Sequence, residues 1–247
     1  MQYWNNKENL KRQAIKHTEE MSVRFAKEIS DSIMKTKIRS SAINYSPGKT
    51  EDIEIILSDS VDASIRAFET GSKVTLLNFA SYKNPGGRFL DGSSAQEESI
   101  CHRSNLYNVL SGEKLKEYYE WNNLNKNKGL YKNRALYTPN IIFDNAYKID
   151  VITCAAPNFS ATSKYTSVTK EENSKVLEDR IEFLLNVISE FNTDTLILGA
   201  WGCGVFGQNP VEVVRLFKEV LNTHKFKKVI FAIIGNEAFK IFKSENK

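Results

Sequence analysis

Two acidic residues stand side by side at Glu97 and Glu98, directly after Gln96. A carboxylic acid can hand a proton to a leaving oxygen and then, as carboxylate, take one from water. Successive helical residues are about 100° apart, so one carboxylate can point into a cleft while the other orients a substrate hydroxyl. Carboxylates in a first helical turn are also ordinary partners of the helix dipole. The pair alone leaves both readings open.

Ahead of the pair runs N-F-A-S-Y-K-N-P-G-G-R-F-L-D-G-S-S-A, residues 78–95. A second loop, G-A-W-G-C-G-V-F-G-Q-N-P, covers residues 199–210. The two loops hold seven of the twelve glycines, and each follows an apolar strand-like run. Glycine lets the backbone approach a ligand closely. Exposed N–H groups beyond the carboxyl ends of strands can then hold phosphate. The second loop fits neither standard nucleotide fingerprint, since no Lys-Ser/Thr pair follows and the glycine spacing is not that of a dinucleotide turn. Trp201 and Phe206 are rings available to a ligand, or to the packing of the loop itself.

The surrounding pattern has to position these loops. A helical segment runs to about Met34, with Leu10, Ala14, Met21 and Phe25 on one face. Short strands are expected over Ile38–Tyr45 and Ile53–Leu57, around a turn at Ser46-Pro47-Gly48. Strand and helix then alternate. Strands are expected at Val74–Phe79, Ile149–Ala155, Thr195–Gly199 and Lys228–Gly235. Helices are expected at Asp62–Thr70, Ser94–Leu110, Glu113–Leu124, Glu171–Phe191, Pro210–Leu221 and Glu237–Lys243. Asn122–Asn133 and Pro157–Thr169 read as polar connections, the latter long enough to be a flap. Such alternation predicts a layered α/β fold with a largely parallel or mixed sheet. Residues 1–50 are treated as a helical accessory segment and 51–247 as the main domain.

Composition narrows the classes. The chain has 247 residues, 41% hydrophobic and 26% charged, as expected of a globular domain. Three scattered cysteines (Cys101, Cys154, Cys203) and three scattered histidines make neither a disulfide framework nor a zinc pattern. A metal is therefore not expected, and a reducing cytoplasm is. No apolar run is long enough for a membrane span, and the first residues lack the apolar stretch of a secretory signal. Net charge is +4, and the whole excess lies in residues 1–39. That reads as the solvated face of a helix, so nucleic acid is an unlikely partner. Cys101 and His102 are adjacent but show no third partner for a thiol nucleophile. Tyr118, Tyr119 and Trp121 read as packing.

Four segments together resemble the bacterial-type poly(ADP-ribose) glycohydrolases, a branch of the macrodomain superfamily. They are L-L-N-F-A-S…N-P-G-G leading to Q-E-E, L-Y-T-P-N around Tyr137–Asn140, D-V-I-T-C-A-A-P-N from Asp150, and L-G-A-W-G-C-G-V-F-G from Leu198. The resemblance implies a three-layer α/β/α macrodomain with a mixed central sheet and an N-terminal helical piece. It implies hydrolysis of the ribose–ribose bond of poly(ADP-ribose), without cofactor. Glu98 matches the catalytic acid and base, and Glu97 the residue that holds ribose hydroxyls. Asn84, Gly86, Gly87 and Gln96 match the first ligand loop. Gly202, Cys203, Gly204, Val205 and Phe206 match the diphosphate loop, with Phe206 near the distal ribose. ADP-ribose or its polymer is the implied ligand, with an ADP-ribosylated protein as a further partner. The family's third consecutive glycine is here Arg88, which either strains the loop, clamps a phosphate or points to solvent. The alternatives to polymer hydrolysis are a non-catalytic ADP-ribose-binding module, suggested by Arg88, and a hydrolase of ADP-ribose linked to protein or nucleic acid.

Overall fold

The computed structural model describes residues 2–41, 47–165 and 168–245. Seven strands form one mixed sheet: β1 (Lys37–Arg39), β2 (Asp52–Leu57), β3 (Val74–Phe79), β4 (Ala135–Phe143), β5 (Tyr147–Cys154), β6 (Thr195–Leu198) and β7 (Lys228–Ile233). Their order is β1-β4-β5-β3-β6-β7-β2. β5, β3, β6, β7 and β2 run parallel, while β4 pairs antiparallel with β1 and β5. The central strands are mostly apolar and almost wholly buried, as a sheet covered on both faces requires. In β7, Val229, Phe231 and Ile233 face one core, and Ile230 and Ala232 face the other.

The first core lies under α8 (Lys170–Ser189), α9 (Pro210–Leu221) and α10 (Asn236–Ser244). The second lies under α1 (Gln2–Arg24), α2 (Ala26–Lys35), α3 (Ser60–Glu69), α4 (Gln96–His102), α5 (Leu106–Leu110) and α6 (Lys116–Leu124). Three layers follow, α/β/α, as expected. α7 (Phe159–Tyr165) stands apart from both sets and packs beside the connection at 127–129.

Four expectations need correction, and one strand, β4, was not among those expected. The N-terminal helix is two helices, because Phe25 leaves helical geometry (φ −122°, ψ 30°) and turns α2 onto β4. The expected helix over 94–110 is interrupted at 103–105. There Asn105 exchanges hydrogen bonds with Ile142 of β4, and Ser104 forms a bridge to Phe143. Polar side chains that take the backbone of a neighbouring strand compete with helix. L-Y-T-P-N belongs to a nine-residue strand, β4. Pro139 hides it from a pattern reading, and the register shift between Thr138 and Ile141 absorbs the missing donor. The polar loop expected over 157–169 contains α7. Of the strand expected over Ile38–Tyr45 only β1 is seen, and Ala42–Tyr45 lie outside the described residues, as does Ser46 of the turn.

α1 is tied to the body at α5 and the residue pair before it, and at the end of the first glycine loop. His17 Nε2 bonds the Ser104 carbonyl at 2.9 Å, and Asn108 Nδ2 donates to the Thr18 carbonyl at 2.9 Å. α1 also packs on the turn Phe89–Asp91. There Gly92 has φ +78°, and a Cβ on it would meet the Lys7 carbonyl oxygen at 2.1 Å. Gly92→Ala should therefore lower stability by about 1–3 kcal/mol, from strain and loss of α1 docking, read as a shifted urea midpoint.

Candidate active site

β3 and β6 are neighbouring parallel strands, and the two glycine loops leave their carboxyl ends side by side. This is the crevice where open α/β sheets hold ligands. The sequence signal of strand, glycine loop and helix is therefore brought together in space.

Gln96 opens α4 and fixes it to β3. Its Oε1 accepts from the Phe79 N–H at 2.8 Å, and its Nε2 donates to the Leu77 carbonyl at 2.8 Å and to Ser60 Oγ at 3.1 Å. Expected as a substrate contact, the Gln96 side chain is instead spent on the scaffold, because an amide aligned with a strand end satisfies both groups there. The two glutamates that follow are thereby set at the strand's end.

Both glutamates are buried, at 3% exposure for Glu97 and 6% for Glu98. Glu97 Oε2 accepts from the Ser81 N–H at 2.6 Å, and Oε1 accepts from Asn78 Nδ2 at 3.1 Å. Glu98 Oε1 accepts from the Arg88 N–H at 2.9 Å. The helical offset does not keep the carboxylates apart. A Cβ on Gly87 would lie 2.6 Å from Glu98 Oε1 and 2.9 Å from Glu97 Oε2, so both reach one backbone position. Gly87 has φ +63° and Gly86 φ +65°, so conformation and space both demand glycine. A Cβ on Gly86 would strike the Tyr107 ring at 2.7 Å.

Burial pushes the Glu97 carboxyl up to about 8, with the neighbouring Glu98 charge adding to it and the Ser81 and Asn78 donors opposing it. Glu97 can thus retain a proton at neutral pH. Asn78 Oδ1 is buried and has no partner among the described residues. An amide turned over at Asn78 would accept the proton of a neutral Glu97.

Arg88 has φ −116°, so the third position of the glycine run imposes no left-handed backbone. Its guanidinium bonds Asp91 Oδ2 at 3.1 Å on the exposed surface. The position serves Glu98 through its N–H alone.

The second loop is pinned below and open above. Gln208 is buried, and its Nε2 donates to the Pro157 carbonyl at 2.7 Å and to Asn173 Oδ1 at 2.9 Å. The Gln208 N–H bonds the Gly202 carbonyl at 3.0 Å and closes the loop. The N–H groups of Gly202, Gly204, Val205 and Phe206 take no hydrogen bond among the described residues. A Cβ on Gly204 would meet nothing within 4 Å. A row of unpaired N–H groups is what an anion such as a diphosphate needs. Val205 is 83% exposed. Trp201 is not available to a ligand. It is fully buried, with Nε1 donating to the Cys154 carbonyl at 3.1 Å, and it packs near Phe217. Its indole is core.

The cysteines offer no nucleophile. Burial pushes Cys203 and Cys154 up to about 12 and raises Cys101, which lies beneath Gly86. Sequence reasoning missed Tyr82, Tyr131 and Arg180 near the cleft. Tyr131 lies in a segment read as a polar connection, and Arg180 sits on an otherwise apolar helix face.

The comparisons follow this geometry. The family model for the catalytic domain of microbial-type PARG matches residues 5–144. Among solved structures, the chain is similar to poly(ADP-ribose) glycohydrolase from Thermomonospora curvata, with 26% identity and a TM-score of 0.84 over 96% of this chain and 99% of that one. It resembles the same enzyme bound to the inhibitor ADP-HPD, with 25% identity and a TM-score of 0.82 over the same shares. It also resembles poly(ADP-ribose) glycohydrolase from Deinococcus radiodurans in complex with ADP-ribose, with 28% identity and a TM-score of 0.80 over 89% and 97%. No curated protein sequence matches.

Two outcomes check this geometry. Gly87→Ala should destabilise the protein by about 1–3 kcal/mol in thermal unfolding, since the new methyl group meets two buried carboxylates. The second concerns pH. Glu97 is raised from its ordinary value near 4.5 to about 8 in the folded state. Its contribution is complete below about 4.5, falls as the unfolded carboxyl ionises, and is fully lost above about 8. Urea midpoints should therefore fall between pH 5 and 8.5, and Glu97→Gln should flatten that decline.

Proposed function

The chain belongs to the microbial-type PARG catalytic-domain family, and from that premise we propose that it hydrolyses the ribose–ribose bond of poly(ADP-ribose), releasing ADP-ribose. The observation that carries this reading is the buried Glu97–Glu98 pair under the Gly86-Gly87 turn, beside a row of N–H groups without a partner among the described residues. Its fold and its similarity to glycohydrolases with ADP-ribose and ADP-HPD bound support it.

The residues divide the chemistry. The diphosphate lies on the N–H groups of Gly202, Gly204, Val205 and Phe206, and Cys203 keeps that turn small. Asn84, Gly86 and Gly87 border the distal ribose, with Phe206 opposite. Glu97 is oriented by Ser81 and Asn78 and holds ribose hydroxyls. Glu98 in its acid form donates a proton to the leaving ribose oxygen as the anomeric carbon develops oxocarbenium character. Glu98, now a carboxylate, takes a proton from the water that adds to that carbon. The Arg88 N–H holds Glu98 in place through both steps.

Arg88 gave the non-catalytic reading its support, and that support is gone. Its backbone is unstrained and its side chain lies at the surface. Residues 1–50 serve as an accessory segment against the catalytic body at 51–247, with α1 buttressing the first loop. No helix of the described residues is long and apolar enough to cross a membrane. We infer a reducing, cytoplasmic setting from three cysteines that all stand free.

The deciding experiment incubates wild type and Glu98→Gln with poly(ADP-ribose) and follows free ADP-ribose. Wild type should release it, and Glu98→Gln should be slower by about 10²–10⁴-fold while still binding ADP-ribose in calorimetry. Equal release by both proteins would remove Glu98 from the reaction, and none by wild type would overturn the function.

A further inference from the structure

Three rings bridge the two ligand loops. Tyr82 of the first loop stacks on Tyr131 with centroids 4.1 Å apart and planes 11° apart. Tyr131 meets Phe206 of the second loop edge-on, with centroids 6.1 Å apart. Tyr82 and Tyr131 are buried together with Ala155, and Phe206 packs on them. The middle ring comes from neither loop. It belongs to the connection between α6 and β4.

That connection is strained and tightly held. Asn127, Lys128, Gly129 and Tyr131 all have positive φ, and Tyr131 sits at +64°. A bulky residue there costs about 1–2 kcal/mol. The Tyr131 N–H bonds the Lys126 carbonyl at 3.1 Å, and Asn127 Nδ2 donates to the Tyr131 carbonyl at 3.1 Å. Arg180 of α8 grips the segment on both sides. Its Nε donates to Asn133 Oδ1 at 2.6 Å and its Nη2 to the Leu130 carbonyl at 3.2 Å. Its Nη1 donates to the Ala155 carbonyl at 2.7 Å, just past β5. Arg180 is 1% exposed, and no carboxylate pairs with it among the described residues. A buried cation without a counter-ion is expensive. Strain and an unpaired buried charge are two separate costs borne by one segment, the one that carries the Tyr131 ring.

Tyr82 is anchored to the same neighbourhood. Its OH donates to the Asn125 carbonyl at 3.0 Å and accepts from the Lys132 N–H at 3.2 Å. The first loop is thus fixed to the connection directly, while the second loop meets it through the Phe206 ring; the Phe206 carbonyl accepts instead from the Ser160 N–H of α7 at 3.1 Å.

We propose that Tyr131, clamped by Arg180, is a positioning residue that sets the separation of the two glycine loops by bracing Phe206 against Tyr82. It touches no reacting atom. It acts through Phe206 on how the ligand fits between the loops, so it governs binding more than the chemical step. This rests on the glycohydrolase reading and on the placement of Phe206 beside the ligand.

The test uses the full chain and reads KM and kcat on poly(ADP-ribose) together with Kd for ADP-ribose. The variants are Tyr131→Phe, Tyr131→Leu, Phe206→Leu and the Leu/Leu double. Tyr131→Phe keeps both ring contacts and should stay within about twofold of wild type. Tyr131→Leu should raise KM and Kd about tenfold, the size of two lost ring contacts, with kcat changed by less than about threefold. The double variant should be no worse than Phe206→Leu, since one residue works through the other. If Tyr131→Leu does not fold, Tyr131→Asn removes the ring with a residue that accepts positive φ, and the same rise is expected. An unchanged KM in the folded ring-less variant, multiplying effects in the double, or a Tyr131→Phe as impaired as Tyr131→Leu would each overturn the proposal. Wild type that neither cleaves polymer nor binds ADP-ribose would sink the glycohydrolase reading and this one together; active wild type with unaffected variants would sink this one alone.

Discussion

Two adjacent carboxylates are taken out of water beneath a turn only two glycines wide. That burial is the constraint to which the rest of the site answers. A lone buried carboxylate is costly, and it is tolerated when donors meet it or a proton neutralises it. Both remedies are used. The Ser81 and Arg88 N–H groups and the Asn78 amide supply donors, and burial holds a proton on Glu97 well above the usual carboxylate range. The Gly86-Gly87 turn follows from the same constraint, since a side chain at Gly87 would occupy the space that both carboxylates face.

The donors must themselves be held, and the sheet does this. Asn78 is the penultimate residue of β3, fully buried at the middle of seven strands. Gln96 sews the start of α4 to the end of that strand, so the glutamates, Asn78 and Ser81 share one frame. β6 pairs with β3 and delivers the second loop to the same end. Gln208 and Asn173 then pin the base of that loop from below through paired amide hydrogen bonds. The N–H groups of Gly202, Gly204, Val205 and Phe206 have no hydrogen-bond partner among the described residues.

Much of this was legible in the sequence, for identifiable reasons. Val74–Phe79 and Pro210–Leu221 matched to the residue, because uninterrupted apolar runs and a proline at the first helical turn are local signals. Residue type and spacing left the glutamate pair and the glycine loops open between a site and ordinary structure, and only the resemblance of four segments to a family singled them out. What was not legible depends on partners far away in sequence. Trp201 is open in the sequence to a ligand or to packing, and only the distant Cys154 carbonyl, which its indole N–H reaches, shows it to be packing. Gln96 looked like a contact residue, and its amide is taken by β3. β4 was hidden by Pro139, which a strand tolerates only at an irregularity that the register alone reveals. Arg180 carries no local signal, since its three oxygens come from residues 130, 133 and 155.

Arg88 shows how a departure from a family's pattern should be weighed. A glycine can be present for its dihedral freedom, for its missing Cβ, or for neither. Gly86 and Gly87 need both properties, at φ +65° and +63° with no space for a methyl group. The next residue needs neither. Its φ of −116° is open to any residue, and its side chain turns outward to Asp91. What Glu98 requires of position 88 is an N–H, and every residue except proline supplies one. The third glycine of the run is therefore replaceable where the first two are not. An arginine at position 88 pairs with Asp91 at the surface and leaves its N–H on the acid beneath it.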